Sequence, residues 1–292
     1  MALGLPGERD EPVGKTLARM RQARRMSGAR LAAAVGLSQP KISRIERGKG
    51  PLTAEDIEAI ARALGAGDAE VQALLERAER TRDQMTDWRP ASSGLAVQQK
   101  TLADWEAGAE CVRVFEPALV PGPLQTSGYA KLVFRSFQRV LLLPEEGQTE
   151  AALLSAVSAR VRRQEALANP AISFRFILAE AVLKRRSYPL AELLAEISHL
   201  REIIAHHPNV TIRILPDGAP AEIPPLHGFV VVDDGLVVVD LYNTGLTSRS
   251  DRDVQSYRQV FELLDEHATD IGPFLDSYES LYIDMLKATS GR

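Results

Sequence analysis

Between residues 28 and 46 two short amphipathic runs meet at a single glycine, and this spacing constrains the chain more than any other feature. Ser27 precedes a run in which Leu31, Ala32 and Val35 share one helical face. Ser38 precedes a second run in which Ile42 and Ile45 do the same. A serine hydroxyl ahead of each run can accept backbone N–H groups left unpaired in a first helical turn. Gly36 can take the left-handed conformation of a sharp turn, and Leu37 is expected as a buried plug behind it. Pro40 falls in a first turn, where its missing N–H costs nothing. Two helices joined by a turn of three or four residues form a helix-turn-helix.

Flanking runs extend the motif. Residues 13–26 place Val13, Leu17 and Met20 at helical spacing. Thr53 with Asp56 three residues on makes a capping box for a helix that turns Ile57, Ile60, Ala61 and Leu64 inward. Asp68 is expected to cap a fifth helix through Val71, Leu74 and Leu75. The expectation is an all-α five-helix domain over 13–84, preceded by a flexible 1–12.

Charge separates this region from the rest. Residues 13–50 hold ten Lys/Arg and one acid, Glu46, whereas from Pro51 onward there are 24 basic and 35 acidic side chains. A basic block on an otherwise acidic chain is the footprint of a surface that binds a polyanion, although a solvated helix face would also read this way. With 45% apolar and 25% charged residues, the 292-residue chain has the composition of a globular protein of two domains. No apolar run reaches the roughly 18 residues of a membrane span, and the first residues lack a secretory pattern. Cys111 is the sole cysteine, so no internal disulfide forms. A cytoplasmic location, nucleoid-associated when DNA is bound, is the expectation.

The segment Arg30-Leu-Ala-Ala-Ala-Val-Gly-Leu-Ser-Gln-Pro-Lys-Ile-Ser-Arg-Ile-Glu-Arg-Gly48 resembles the Cro/cI-type (XRE) family of DNA-binding domains. The resemblance implies that Gln39, Pro40, Ser43 and Arg44 read base edges in the major groove of double-stranded DNA. Gln39 suits adenine and Arg44 suits guanine. Phosphate contacts fall to Ser27, Gly28, Ser38, Lys41, Arg47 and Lys49, with Lys41 placed at either base or backbone. It also implies that Arg21 pairs structurally with Glu46. Small domains of this kind need two copies for tight binding, so a homodimer on a palindromic site is expected.

Residues 85–96 read as a turn-rich junction, and 97–292 as a larger α+β, or mixed α/β, domain for sensing and dimerisation. Helices are expected at 95–108, from 126, and at 149–168, 190–205, 254–267 and 274–286. Strands are expected at 110–116, 172–178, 210–215, 228–232 and 236–241, the last two joined by an Asp233-Asp-Gly235 hairpin. Phe115-Glu-Pro-Ala-Leu-Val-Pro-Gly-Pro-Leu-Gln-Thr-Ser-Gly-Tyr-Ala130, Arg160-Val-Arg-Arg-Gln164, Ile177-Leu-Ala-Glu-Ala-Val-Leu183 and Ile212-Arg-Ile-Leu-Pro216 resemble an actinobacterial family of antitoxin-like regulators. Pro123 departs from that family's PGLLQT turn. The family's members are often encoded beside a small partner protein. The resemblance thus implies control by such a partner or by a small-molecule ligand, or an antitoxin that sequesters the partner and regulates its own operon.

Glu116, Gln125, Arg160, Arg163, Gln164 and Glu180 are the candidate ligand or partner site, with Asp240 near another strand end. A structural ion-pair network, with Glu180 paired to Arg160 or Arg163, is the competing reading. The sequence holds no glycine-rich phosphate loop, no nucleophile elbow and no Cys/His metal spacing. No enzymatic activity, cofactor or metal is therefore expected. Trp88, Trp105 and Tyr129 are expected as packing anchors at the junction of the two domains.

Overall fold

The computed structural model describes residues 12–47, 52–82, 86–88, 94–140, 149–186, 188–220, 223–242 and 244–290. The chain divides into two compact units, Met1–Gln84 and Met85–Arg292. The segment 1–12, apart from Pro12, and the part of the junction at 89–93 lie outside the described residues.

The first unit comprises α1 (Val13–Ala23), α2 (Gly28–Val35), α3 (Gln39–Glu46), α4 (Ala54–Ala63) and α5 (Asp68–Arg82). The Ser27 and Ser38 hydroxyls accept the N–H groups of Arg30 and Lys41, and Thr53 and Asp56 form the reciprocal capping box. Gly36 ends α2 at φ 69°, the left-handed conformation its position requires. Leu31, Ile42, Ile45, Ile57 and Ile60 are each at most 2% exposed and form the core with Leu17.

Three details differ from expectation. Leu37 is half-buried against the core rather than enclosed. Asp68 is the first residue of α5, because the Gly67 carbonyl already accepts the first helical N–H groups. Helix α1 ends at Ala23, with Arg25 at φ 53°. Gly14 explains how α1 and α3 approach so closely: a Cβ there would lie 2.1 Å from the Ile45 carbonyl oxygen.

The second unit is a mixed α/β domain around one eight-stranded sheet of order β1-β7-β6-β5-β2-β3-β4-β8. Its strands are β1 (Thr86–Asp87), β2 (Cys111–Glu116), β3 (Ser173–Ala179), β4 (Val210–Leu215), β5 (Phe229–Val232), β6 (Leu236–Asp240), β7 (Gly245–Ser248) and β8 (Thr269–Asp270). Strands β2, β3 and β4 run parallel, and the other pairings are antiparallel. The helices are α6 (Leu95–Ala107), α7 (Ser127–Val140), α8 (Glu150–Arg162), α9 (Ala181–Lys184), α10 (Leu190–His206), α11 (Asp251–His267) and α12 (Gly272–Ser290).

Alternation along the strands builds two cores. Val112, Val114, Phe174, Phe176, Ile212 and Ile214 face the layer containing α7, α10 and α12. Phe115, Ile177, Val231 and Val237 face Val254, Phe261 and Leu264 of α11. A third cluster joins Leu95, Phe134, Leu153 and Ala156 of α6, α7 and α8.

Strands β1, β7 and β8 and the short α9 were not legible in the sequence. The run at 149–168 is α8 followed by a 3-10 turn, Arg163–Ala168. Thr86 and Asp87 pair with β7, so this part of the expected junction belongs to the second unit's sheet. Trp88 packs edge-on to Trp105 at 5.3 Å, and both lie partly buried against the core of the second unit, to which Tyr129 belongs.

Candidate functional site

In the first unit, α3 is held to the core by Ile42 and Ile45 and turns Gln39, Pro40 and Arg44 outward. Gln39 and Arg44 have no hydrogen bond or ion pair with any described residue, and Ser43 is half-buried beside them. The Ser27 and Ser38 oxygens cap helices, which leaves each hydroxyl proton available to an acceptor outside the domain. Gly28 borders the Gln39 side chain, and Arg47 lies exposed with its Nε on the Ser43 carbonyl. Lys49 lies outside the described residues.

Two basic side chains of this unit form ion pairs within it. Arg21 donates from Nε and Nη2 to both Glu46 carboxylate oxygens at 2.6 and 2.8 Å, and from Nη1 to the Met26 carbonyl. This brace joins the end of α1 to the end of α3, and the hydrogen bond to Glu46 raises the Arg21 pKa.

Lys41, expected at base or backbone, places its Nζ 2.9 Å from Asp56 Oδ1, a carboxylate that is 7% exposed. The α4 capping residue had no visible link to Lys41 in the sequence, fifteen positions away. Lys41→Met is expected to cost the domain about 1–2 kcal/mol, because Asp56 loses a charged donor. The same change should leave the slope of log K against log salt unaltered, whereas loss of a phosphate contact would reduce it by about 0.9. A gel-shift salt titration beside a urea melt measures both.

In the second unit, four of the six candidate residues converge on the turn at 121–126. Arg160 donates to Gln99 and Gln125 at 3.1 and 2.9 Å, and its guanidinium lies 4.1 Å from the Phe134 ring centroid. Arg163 donates to Gln99 at 2.7 Å and grips both oxygens of Glu106 at 2.9 and 2.5 Å. Gln164 donates to the Gln125 carbonyl, and Gln125 donates to the Val120 carbonyl. Sequence reasoning missed Gln99 and Glu106. Both are buried on α6, and their helical spacing from Leu95 and Leu102, which places two polar residues on the apolar stripe, was the signal that would have found them.

Glu180 does not join this network. It accepts from Tyr278 Oη, Lys184 Nζ and the Asp217 N–H, so its expected pairing with Arg160 or Arg163 is replaced. Glu180 follows the last residue of β3 and precedes α9, whose Lys184 supplies its cation.

Glu116 occupies the end of β2 on the same face as Val112 and Val114. The β2–β5 register continued by one residue, and the β5–β6 register continued by two, set Glu116, Gly228 and Asp240 in one row across three strands. A Cβ at position 228 would lie 2.7 Å from Glu116 Oε2, so the carboxylate leans into the notch that this glycine leaves. Loss of water around the carboxyl pushes the Glu116 pKa up to about 8; the Asp240 charge adds to the shift and Arg160 opposes it. Desolvation, with Arg163 beside it, brings Arg160 down to about 9.

No helix among the described residues is long and apolar enough to cross a membrane. Residues 12–74 match the model of a helix-turn-helix domain. Residues 99–272, more than half of the chain, match that of a domain of unknown function (DUF5753). No curated protein and no solved structure matches the chain.

Proposed function

Because the chain belongs to the DUF5753 family and carries a helix-turn-helix domain ahead of that domain, we propose that it is a sequence-specific transcriptional regulator of Cro/cI type. In this reading it binds a palindromic operator as a homodimer, and its larger domain is a non-enzymatic effector module that answers to a ligand or a small partner protein. The observation that supports it best is the outward face of α3. Gln39, Pro40 and Arg44 are exposed on a helix clamped from behind, and neither Gln39 nor Arg44 is engaged within the domain. Ordered side chains without internal partners at the start of a second helix fit the base edges of a major groove.

Ser43 completes the reading surface, and Ser27, Gly28, Ser38 and Arg47 border it as backbone contacts. In the second unit the network of Gln99, Glu106, Gln125, Arg160 and Arg163 is scaffold.

Footprinting on selected genomic fragments is expected to protect two inverted half-sites about one helical turn apart. Sedimentation of the same complex should then return two chains per site. A single half-site protected by one chain would exclude the dimeric arrangement.

A further inference from the structure

We propose that Arg25, in the turn between α1 and α2, binds a phosphate of the DNA duplex beside the groove that α3 enters. The proposal deepens the DNA-binding reading of the first unit and rests on it.

The first argument is the backbone. The Arg25 N–H donates to the Gln22 carbonyl and the Met26 N–H to the Arg21 carbonyl. Helix α1 therefore ends in a Schellman turn, with Arg25 at its left-handed position at φ 53°. Helices α2 and α4 also end on a left-handed residue, and there it is Gly36 at φ 69° and Gly65 at φ 72°. A Cβ is unfavourable in that conformation. At the one such turn of this unit built without glycine, the residue is an arginine. A local choice that works against the fold points to a role outside it.

The second argument is charge. Arg25 is exposed and has no hydrogen bond or ion pair through its side chain with any described residue. Its neighbour Arg24 lies back on the domain, with Nη1 3.4 Å from the Met20 carbonyl oxygen and the guanidinium against Gly65. Glu46 is the only acid between residues 13 and 50, and Arg21 holds both of its oxygens. The first turn of α2 has no acid either, and it carries Arg30 near the positive end of the helix. A guanidinium in these surroundings lacks a counter-charge, and a phosphate supplies one.

The third argument is position. A Cβ at Gly28 would lie 3.8 Å from Gln39 Nε2, so the starts of α2 and α3 meet. Arg25 precedes Gly28 by three residues, a span of about 11 Å at most. Between them stand Met26, whose carbonyl accepts from the arginine that braces the end of α3, and Ser27, whose hydroxyl proton is available to an acceptor outside the domain. Arg25 thus stands beside the base-reading end of α3 and not on it. That place suits the phosphate chain flanking a groove rather than a base edge.

The test is a salt titration of DNA binding by the full chain, beside urea unfolding followed by circular dichroism. Binding is read by fluorescence anisotropy on a footprinted genomic fragment and on a random duplex. Arg25→Gly and Arg25→Gln are each expected to weaken binding to both duplexes about tenfold at low salt. Each should also lower the slope of log K against log salt by about 0.9 per bound chain. Arg25→Gly should unfold at a higher urea concentration than the unaltered chain, because glycine suits the left-handed turn. Affinity then falls while stability rises, a combination that a purely structural arginine would not give.

Affinity and slope unchanged in both variants would overturn the proposal. A loss confined to the genomic fragment would make Arg25 a base reader and overturn the phosphate contact. Failure of the unaltered chain to bind either duplex would defeat the DNA-binding reading itself, and this proposal with it.

Discussion

Replacing Arg163 by methionine is expected to destabilise the second unit by about 3–5 kcal/mol, the largest stability effect of any single substitution considered for this chain. The guanidinium is 5% exposed and Glu106 is 3% exposed, and the pair closes bidentately between α6 and the 3-10 turn that follows α8. Removing the arginine strands a carboxylate in a space without water, and Gln99 loses one of its two donors. The cost comes from the abandoned charge and not from the net worth of the pair. Urea denaturation should therefore show a severe loss for Arg163→Met and a far smaller one for Arg163→Met combined with Glu106→Leu. A loss below about 1 kcal/mol for the single variant would mean that Glu106 finds another donor or stays protonated.

The Gln39→Ala and Arg44→Ala variants are expected to give the largest functional effect. Each bidentate contact to a base contributes roughly 1–3 kcal/mol of discrimination, so the double variant should lose most of its preference for operator over random DNA. Neither side chain is held by the domain, so the fold should keep its stability. Non-specific binding should persist, since phosphate contacts from other residues carry it. Competition gel shifts at fixed salt measure the ratio directly. Full operator preference in the double variant would show that α3 does not read bases through these positions.

Both expectations bear on how much of the protein was legible before its structure. The five helices of the first unit were, because the caps, the Gly36 turn and the spacing of Leu31, Ile42, Ile45 and Ile57 are signals confined to a few neighbouring residues. Strands β2 to β6, runs of β-branched and aromatic residues, and the hairpin joining β5 to β6 were readable for the same local reason. Strands β1, β7 and β8 were not. Two residues carry no periodicity, the Gly-Leu-Thr-Ser of β7 has no run of strand-forming residues, and Thr86 becomes a strand only through its pairing with Thr247.

The site divides along the same line. Sequence reasoning put Gln125, Arg160, Arg163 and Gln164 in one candidate site with Glu116 and Glu180, and its competing reading paired Glu180 with one of the arginines, whereas the fold gives Glu180 to Lys184 and Tyr278. The same reasoning left Lys41 free for DNA, whereas the packing of α3 beside the start of α4 hands it to Asp56.

The helix-turn-helix was thus determined by the sequence alone, since a turn glycine, two serine caps and a helical stripe of apolar residues act over distances of one or two turns. Which charged groups are spent on the fold, and with which partners, was decided only in three dimensions. Ion pairs and desolvation depend on distance through space, and residues as far apart as Glu106 and Arg163, or Glu116 and Asp240, meet only after the sheet has formed.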